Sequence, residues 1–496
     1  MTKGITVPDI EGSPSRKLIR HFAATAFFDL PPESVTATKR RVLDLIGCAV
    51  AGARAVGNDQ LAPILGAAAG NERANTASLF FQTGRLRAAD AAMANAIAAR
   101  SYDFEVMATK VAGKVIPSHT SPTTVMTAFA MGERENTTGA QFLTALTLGD
   151  DLVARVLGSA GFDFDGGWDA ASVHSGLGAA AIAAKLAGLA EQGIADSVGL
   201  IVNLLGGTIQ APWDGSTDFK LTQGMAARHA ILCADLARVG WTGMADALFA
   251  PFGFYHQFTA GCAFPDVLTG ALGDSYYAEE YFKPYPACAA THSAIQCAVE
   301  LRERLSAGVA DVDQIVVALP VPLLSGFCCK PYEPRRFPHC DAIFSFRFQV
   351  ANAILNGQVE QAHYQEERLR DPVLIGLASR IDLEPLDVEV VGFGADGPCR
   401  ITAKFRDGRT ASHLLEKLSR YPTVRSSTDA EIEAKFYEQC EFSGRVDRDR
   451  ASRIVESVDT LEQAVSVRDL IQLITGAVPI RRRQARMARA TRRRPH

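Results

Sequence analysis

No CxxC pair, no apolar run of eighteen residues and no Walker-type GxxxxGK[ST] loop occur in this 496-residue chain. No GxGxxG is expected after a strand, and HExxH and GxSxG are missing. These absences exclude a transmembrane helix and remove the usual support for a nucleotide cofactor, a zinc protease or a serine elbow. The ten cysteines are irregularly spaced, so they read as reduced thiols. Cys328-Cys329 with His339-Cys340, and Cys288 with His292, lack zinc spacing and read as loop or core residues. The first twenty residues contain acids and no apolar core, so no secretory signal and a cytoplasmic location are expected.

Net charge is −4, but the last sixteen residues hold eight arginines and no acid. The rest of the chain therefore stands at −4 − 8 = −12. A body of that charge makes nucleic acid an unlikely partner, and cations for an anionic substrate must be concentrated locally.

What is present is helix after helix. Residues 36–54 put Val42, Leu43, Leu45, Ile46 and Val50 on one apolar face. Helical stretches follow at 88–102, 121–132, 138–157, 171–189, 194–206 and 223–239. The 171–189 stretch is rich in Ala and Gly, which predicts close helix approach in a buried hairpin. Near residue 276 the pattern changes. Strands are expected at 313–319, 387–393, 399–405 and 409–414, with a hairpin at Asp407-Gly408 and helices at 289–305 and 344–356. Helices at 428–440 and 460–474 are expected to pack back on the first domain. The fold class is mainly α. The divisions are a helical domain over 14–275, an α+β domain over 276–418, C-terminal helices over 419–476 and a disordered Arg-rich tail over 477–496.

Four stretches gather titratable groups in apolar surroundings. SYDFE carries Asp103 and Glu105 after an Ala-rich helix. His119 lies just before a helix start, where the dipole favours an anion. Lys220 precedes a helix expected near Gln223, where it could grip a carboxylate. KPYPACAATH uses two prolines to deliver Lys283 and His292 at the mouth of the second domain. Each of these also reads as an ordinary loop or cap residue by pattern alone.

These stretches resemble the MmgE/PrpD family, which includes 2-methylcitrate dehydratase, cis-aconitate decarboxylase and iminodisuccinate epimerase. KPYPACAATH resembles its K-x-[YF]-P…TH segment, and ANAIAARSYDF its small-residue helix ending in a D-F-D-D type motif. SHTSPTTVMTAFAMGE, SGLGAAAIAAKLAGL, FKLTQGMAARHAI and FSFRFQVANAILNG also resemble family segments, over roughly residues 15–476. The resemblance implies an all-helical domain, an α+β lid, a homodimer, and catalysis between them with no required cofactor or metal. It assigns catalytic positions to Asp103, His119, Lys220 and His292, and substrate-binding positions to Asp169, His174, Lys283 and Phe348.

Two positions depart from the family pattern. Asp169 stands where a histidine is usual, and Phe348 where the decarboxylases have tyrosine. Segment 106–118 is also longer than the usual spacer and adds Lys110 and Lys114. The expected activity is a lyase on a small di- or tricarboxylate, with 2-methylcitrate dehydratase-like loss of water. The alternatives are an epimerase acting alpha to a carboxylate, and a non-catalytic binding role. An anionic Asp169 would repel a tricarboxylate, so efficient cis-aconitate decarboxylation is not expected.

Overall fold

Small side chains at helix crossings set the middle of the molecule. The structure is a computed structural model, and it describes residues 12–475 except 67–74, 83, 112–113, 161–165, 278, 306–310, 391–394 and 420–424. The arginine tail expected to be disordered lies outside the described residues.

The first region contains α1 (Pro14–Ala24), α2 (Pro32–Gly52), α3 (Ala88–Arg100), α4 (Ser121–Glu135), α5 (Gly139–Ser159), α6 (Ala170–Leu186), α7 (Glu191–Ile201) and α8 (Leu221–Arg238). α6 is buried along almost its whole length and packs against α4, α5, α7 and α8. Its glycines allow this. A Cβ on Gly178 would stand 2.5 Å from Gly149 O of α5 and from Val153 Cγ2. α5 starts with a capping box in which Thr138 and Gln141 satisfy each other's backbone N–H groups.

The second region carries α9 (His292–Arg302) and α10 (Phe346–Asn356). Beside them is a four-stranded sheet of β1 (Val312–Pro320), β2 (Ile381–Leu386), β3 (Cys399–Phe405) and β4 (Thr410–Leu415). The spatial order is β2-β1-β3-β4, and only the β1–β2 pairing is parallel. The β3–β4 hairpin turns at Asp407-Gly408 as expected, with Gly408 at φ +86°. The C-terminal helices α11 (Asp429–Ser443), α12 (Arg448–Asp459) and α13 (Arg468–Thr475) return to the first region, where α11 packs on α2 and α13 on α4. Among the described residues the larger hydrophobic core runs from Leu18 to Ile474, and a small second cluster gathers Met107, Ala108, Tyr281, Ala289 and Leu418.

Three expectations need correction. The first region is not all-helical: Met107–Val111 pairs antiparallel with both Lys114–Ile116 and Glu279–Tyr281. The unusually long 106–118 segment is therefore largely a β-hairpin, whose β-branched residues fit a pleat. The strand expected at 387–393 lies earlier, at Ile381–Leu386. Pro385 obscured it, yet a proline is tolerated on the edge strand of a sheet. Finally, a GxGxxG does follow a strand, at Gly392, Gly394 and Gly397 after β2, but the chain runs on into β3 and not into a helix, so this is no dinucleotide fingerprint.

Helix crossing sets a stability test. Gly178→Ala is expected to destabilise by about 1–3 kcal/mol through overpacking. Gly376→Ala, where an added Cβ meets nothing within 4 Å, is expected to be neutral or stabilising by up to ~1 kcal/mol. Urea unfolding of both variants checks the contrast.

Candidate active site

The turn that follows α3 collects the charges. Ser101 Oγ donates to Ile97 O at 2.7 Å and Asp103 N to Arg100 O at 3.1 Å, closing the helix end. Asp103 then adopts φ +48°, and His119, just before α4, adopts φ +54°. Left-handed conformations are uncommon away from glycine, and Asp and His tolerate them better than most. Two such residues with facing side chains mark strain held by their surroundings.

Those surroundings are ionic. Arg100 pairs with Asp103 and, at 3.0 Å, with Glu105. Lys283 Nζ donates to Asp103 O at 2.7 Å and stands 2.9 Å from Asp103 Oδ2. His119 Nδ1 lies 2.6 Å from Glu105 Oε1 and 3.9 Å from Asp103 Oδ1. Asp103, Glu105 and Lys283 are buried, whereas the His119 side chain is 19% exposed. Two fixed cations thus balance two carboxylates.

Burial pushes both carboxyls up, but Arg100 and Lys283 outweigh it and hold Asp103 and Glu105 below their ordinary values. His119 is lowered by burial and by Lys283 and Arg100, against the opposing pull of Glu105. The histidine is therefore neutral at pH 7. Nδ1–H donates to Glu105, which leaves Nε2 as a lone pair.

Lys220 reaches the same turn through Asn58. Its ammonium donates to Asn58 Oδ1 at 2.7 Å and Val56 O at 3.1 Å, and Asn58 Nδ2 donates to Ser101 Oγ at 2.9 Å. Burial lowers Lys220 to about 8. Among the described residues no carboxylate pairs with it. The helix it precedes starts at Leu221, after a 3₁₀ turn over Thr217–Lys220, and Gln223 Nε2 donates to His119 O at 3.0 Å.

Asp103, His119, Lys220 and Lys283 therefore share one neighbourhood, and the other sequence candidates differ. Lys283 was expected at a mouth but is fully buried as a counter-ion of Asp103. His292 is also fully buried, not in an open cleft. Tyr281 Oη–H donates to its Nδ1 at 2.6 Å, its Nε2–H donates to Ala287 O at 3.1 Å, and burial lowers it to about 3. It buckles the segment that carries Lys283. Asp169 is the N-cap of α6: Ala171 N donates to Oδ1 at 3.1 Å and Thr222 Oγ1 to Oδ2 at 2.6 Å. Both oxygens accept a hydrogen bond from neutral groups, and no cation pairs with Asp169 among the described residues. His174 donates to Ala170 O at 2.8 Å, packs edge-on to Phe254 and is lowered by burial to about 4. Phe348 is fully buried against Tyr332 and Tyr364.

Asp103, Glu105 and His119 bring three ligand atoms within 4.8 Å of one another, which would suit a metal by spacing. The charges oppose it, because Arg100 and Lys283 already occupy the carboxylates and a dication would meet both. Arg100 was not legible as a site residue in the sequence, and Glu105 stood in a candidate stretch without a role. The available signal was their spacing, since Arg100, Asp103 and Glu105 crowd one helix end with no other partner nearby in sequence.

Comparisons with known proteins agree over most of the length. The MmgE/PrpD N-terminal domain matches residues 16–265 and the MmgE/PrpD C-terminal domain residues 285–463. The cis-aconitate decarboxylase-like protein oryM of Aspergillus oryzae is 24% identical, over 94% of this chain and 98% of its own. A cis-aconitate decarboxylase of Aspergillus terreus is 22% identical, over 92% and 95%.

The pairing of His119 with Glu105 has a measurable sign. His119 is expected to titrate below the ordinary 6.5. Glu105→Gln removes the group that raises it, so its midpoint should fall further. NMR of the imidazole against pH measures both, and a midpoint that rises in Glu105→Gln would refute the pairing.

Proposed function

The chain belongs to the MmgE/PrpD family, and from that premise we propose that it is a lyase that eliminates water from a small di- or tricarboxylate. The observation that carries this is a juxtaposition. A neutral histidine oriented by a buried carboxylate stands beside the turn that Lys220, a buried ammonium with neutral partners, reaches through Asn58 and Ser101. A substrate carboxylate supplies the charge that Lys220 lacks.

In this reading His119 Nε2 removes a proton from the carbon alpha to a carboxylate, and Glu105 stabilises the imidazolium that forms. The C–H electron pair becomes the alkene π bond as the β C–O bond breaks. The leaving hydroxide takes a proton and departs as water. Lys220, at about 8, is the cation able to give that proton near neutrality, whereas Arg100 is not. Lys283 and Asp103 keep the turn in place, and the domain carrying Lys283 and Phe348 closes the site. A homodimer, expected from the resemblance, is part of the proposal; light scattering should return twice 53.2 kDa.

A second reading is decarboxylation, favoured by the names of the two Aspergillus relatives. There the acid protonates carbon as carbon dioxide leaves. Supplying 2-methylcitrate and cis-aconitate separately, and following alkene absorbance and carbon dioxide, separates the two. Alkene from 2-methylcitrate without gas supports dehydration; gas from cis-aconitate alone replaces it with decarboxylation.

Two further outcomes are expected. kcat/KM should fall as pH rises through about 8, because Lys220 loses its proton there. Lys220→Arg should move that limb beyond the assay range and lower kcat, since Arg keeps its charge but gives no proton. Turnover should also survive exhaustive chelation, because Arg100 and Lys283 are the cations of this carboxylate pair; loss on chelation with recovery by one metal would overturn that.

A further inference from the structure

Charged side chains from three distant parts of the chain hold backbone groups of Asp103, Phe104 and Val106 in the strained turn. Lys283 Nζ donates to Asp103 O at 2.7 Å. Lys435 Nζ, on α11, donates to Phe104 O at 2.6 Å and lies 4.0 Å over the Phe104 ring. Asp44 Oδ2, on α2, accepts from Val106 N at 2.8 Å. Asp44 and Lys435 are themselves an ion pair at 2.7 Å, and both are buried. Between the points they grip lies Glu105, whose carboxylate orients His119.

We propose that the Asp44–Lys435 pair is a positioning device for the active site, fixing the Phe104–Val106 backbone so that Glu105 meets His119. The proposal rests on the reading of His119 as the catalytic base. It gives α11, more than three hundred residues along the chain from the turn, a part in the chemistry without contact to substrate. A backbone at φ +48° relaxes unless its neighbours over-determine it. A salt bridge that also grips the backbone on both sides of Glu105 does so. A buried pair kept only for stability has no such requirement, since neutral, well-packed residues often serve as well.

The two partners are separable. Lys435→Met removes the donor to Phe104 O. Asp44→Asn breaks the same ion pair but retains an oxygen for Val106 N–H and leaves Lys435 on Phe104 O. In Lys435→Met, kcat is expected to fall at least about tenfold with KM within about threefold, the scale on which small misplacements act. The acid limb of its kcat/KM profile should also shift, because Glu105 no longer holds His119. Asp44→Asn is expected to keep the wild-type limb despite a lower melting temperature. If Lys435→Met does not fold, the fully neutral Asp44→Asn/Lys435→Met protein replaces it. Wild-type kcat and limb in the folded protein lacking Lys435 overturn the proposal. His119→Ala is the control for the underlying reading: an active His119→Ala protein overturns that reading and the proposal with it. An inactive one alongside an unimpaired Lys435 variant overturns the positioning role alone.

Discussion

Two carboxylates cannot be ionised inside a protein unless cations reach them, and the centre of this molecule is arranged around that requirement. Asp103 and Glu105 lie at the end of an alanine-rich helix with almost no water contact. Arg100 comes from the last turn of the same helix, and Lys283 from the second region. The four charges cancel, so the adjacent histidine is governed by burial and stays neutral. Removing either cation would leave a buried carboxylate to protonate, and the orientation of His119 would go with it.

The same requirement ties the regions together. Lys283 reaches Asp103 because His292 and Tyr281 buckle the segment that carries it. Lys435 reaches the turn because α11 packs on α2. The close helix crossings at Gly149 and Gly178 keep the first region compact enough for α4, α6 and α8 to converge near the turn. The strain at Asp103 and His119 is sustained by these contacts, and it points both side chains into one space.

Lys220 differs from the other cations. It sits among neutral acceptors and is lowered by burial. A buried ammonium without a counter-charge is costly. Family membership makes a lyase-type activity the coarse assignment, while the choice between loss of water and loss of carbon dioxide depends on where the acid stands relative to the substrate carbon.

Periodicity and turn chemistry are local, so most helices, the Asp407-Gly408 hairpin and the Ala/Gly-rich crossing helix were legible in the sequence by itself. So were the segments carrying Asp103, His119, Lys220 and Lys283, because short motifs preserve them. The 107–116 hairpin was hidden because its other partner strand lies at 279–281. Which histidine remains accessible was likewise a tertiary outcome: His119 keeps an open edge while His292 spends both nitrogens on its own segment. Asp169 occupies a position where the family usually has histidine; it caps its own helix through Ala171 N, and the fold adds a bond from Thr222, fifty-three residues away. Local spacing sets backbone conformation and the apolar face of each helix. Which charge meets which is decided only when residues from 44 to 435 pack together, because buried ionic groups take their partners from the assembled interior.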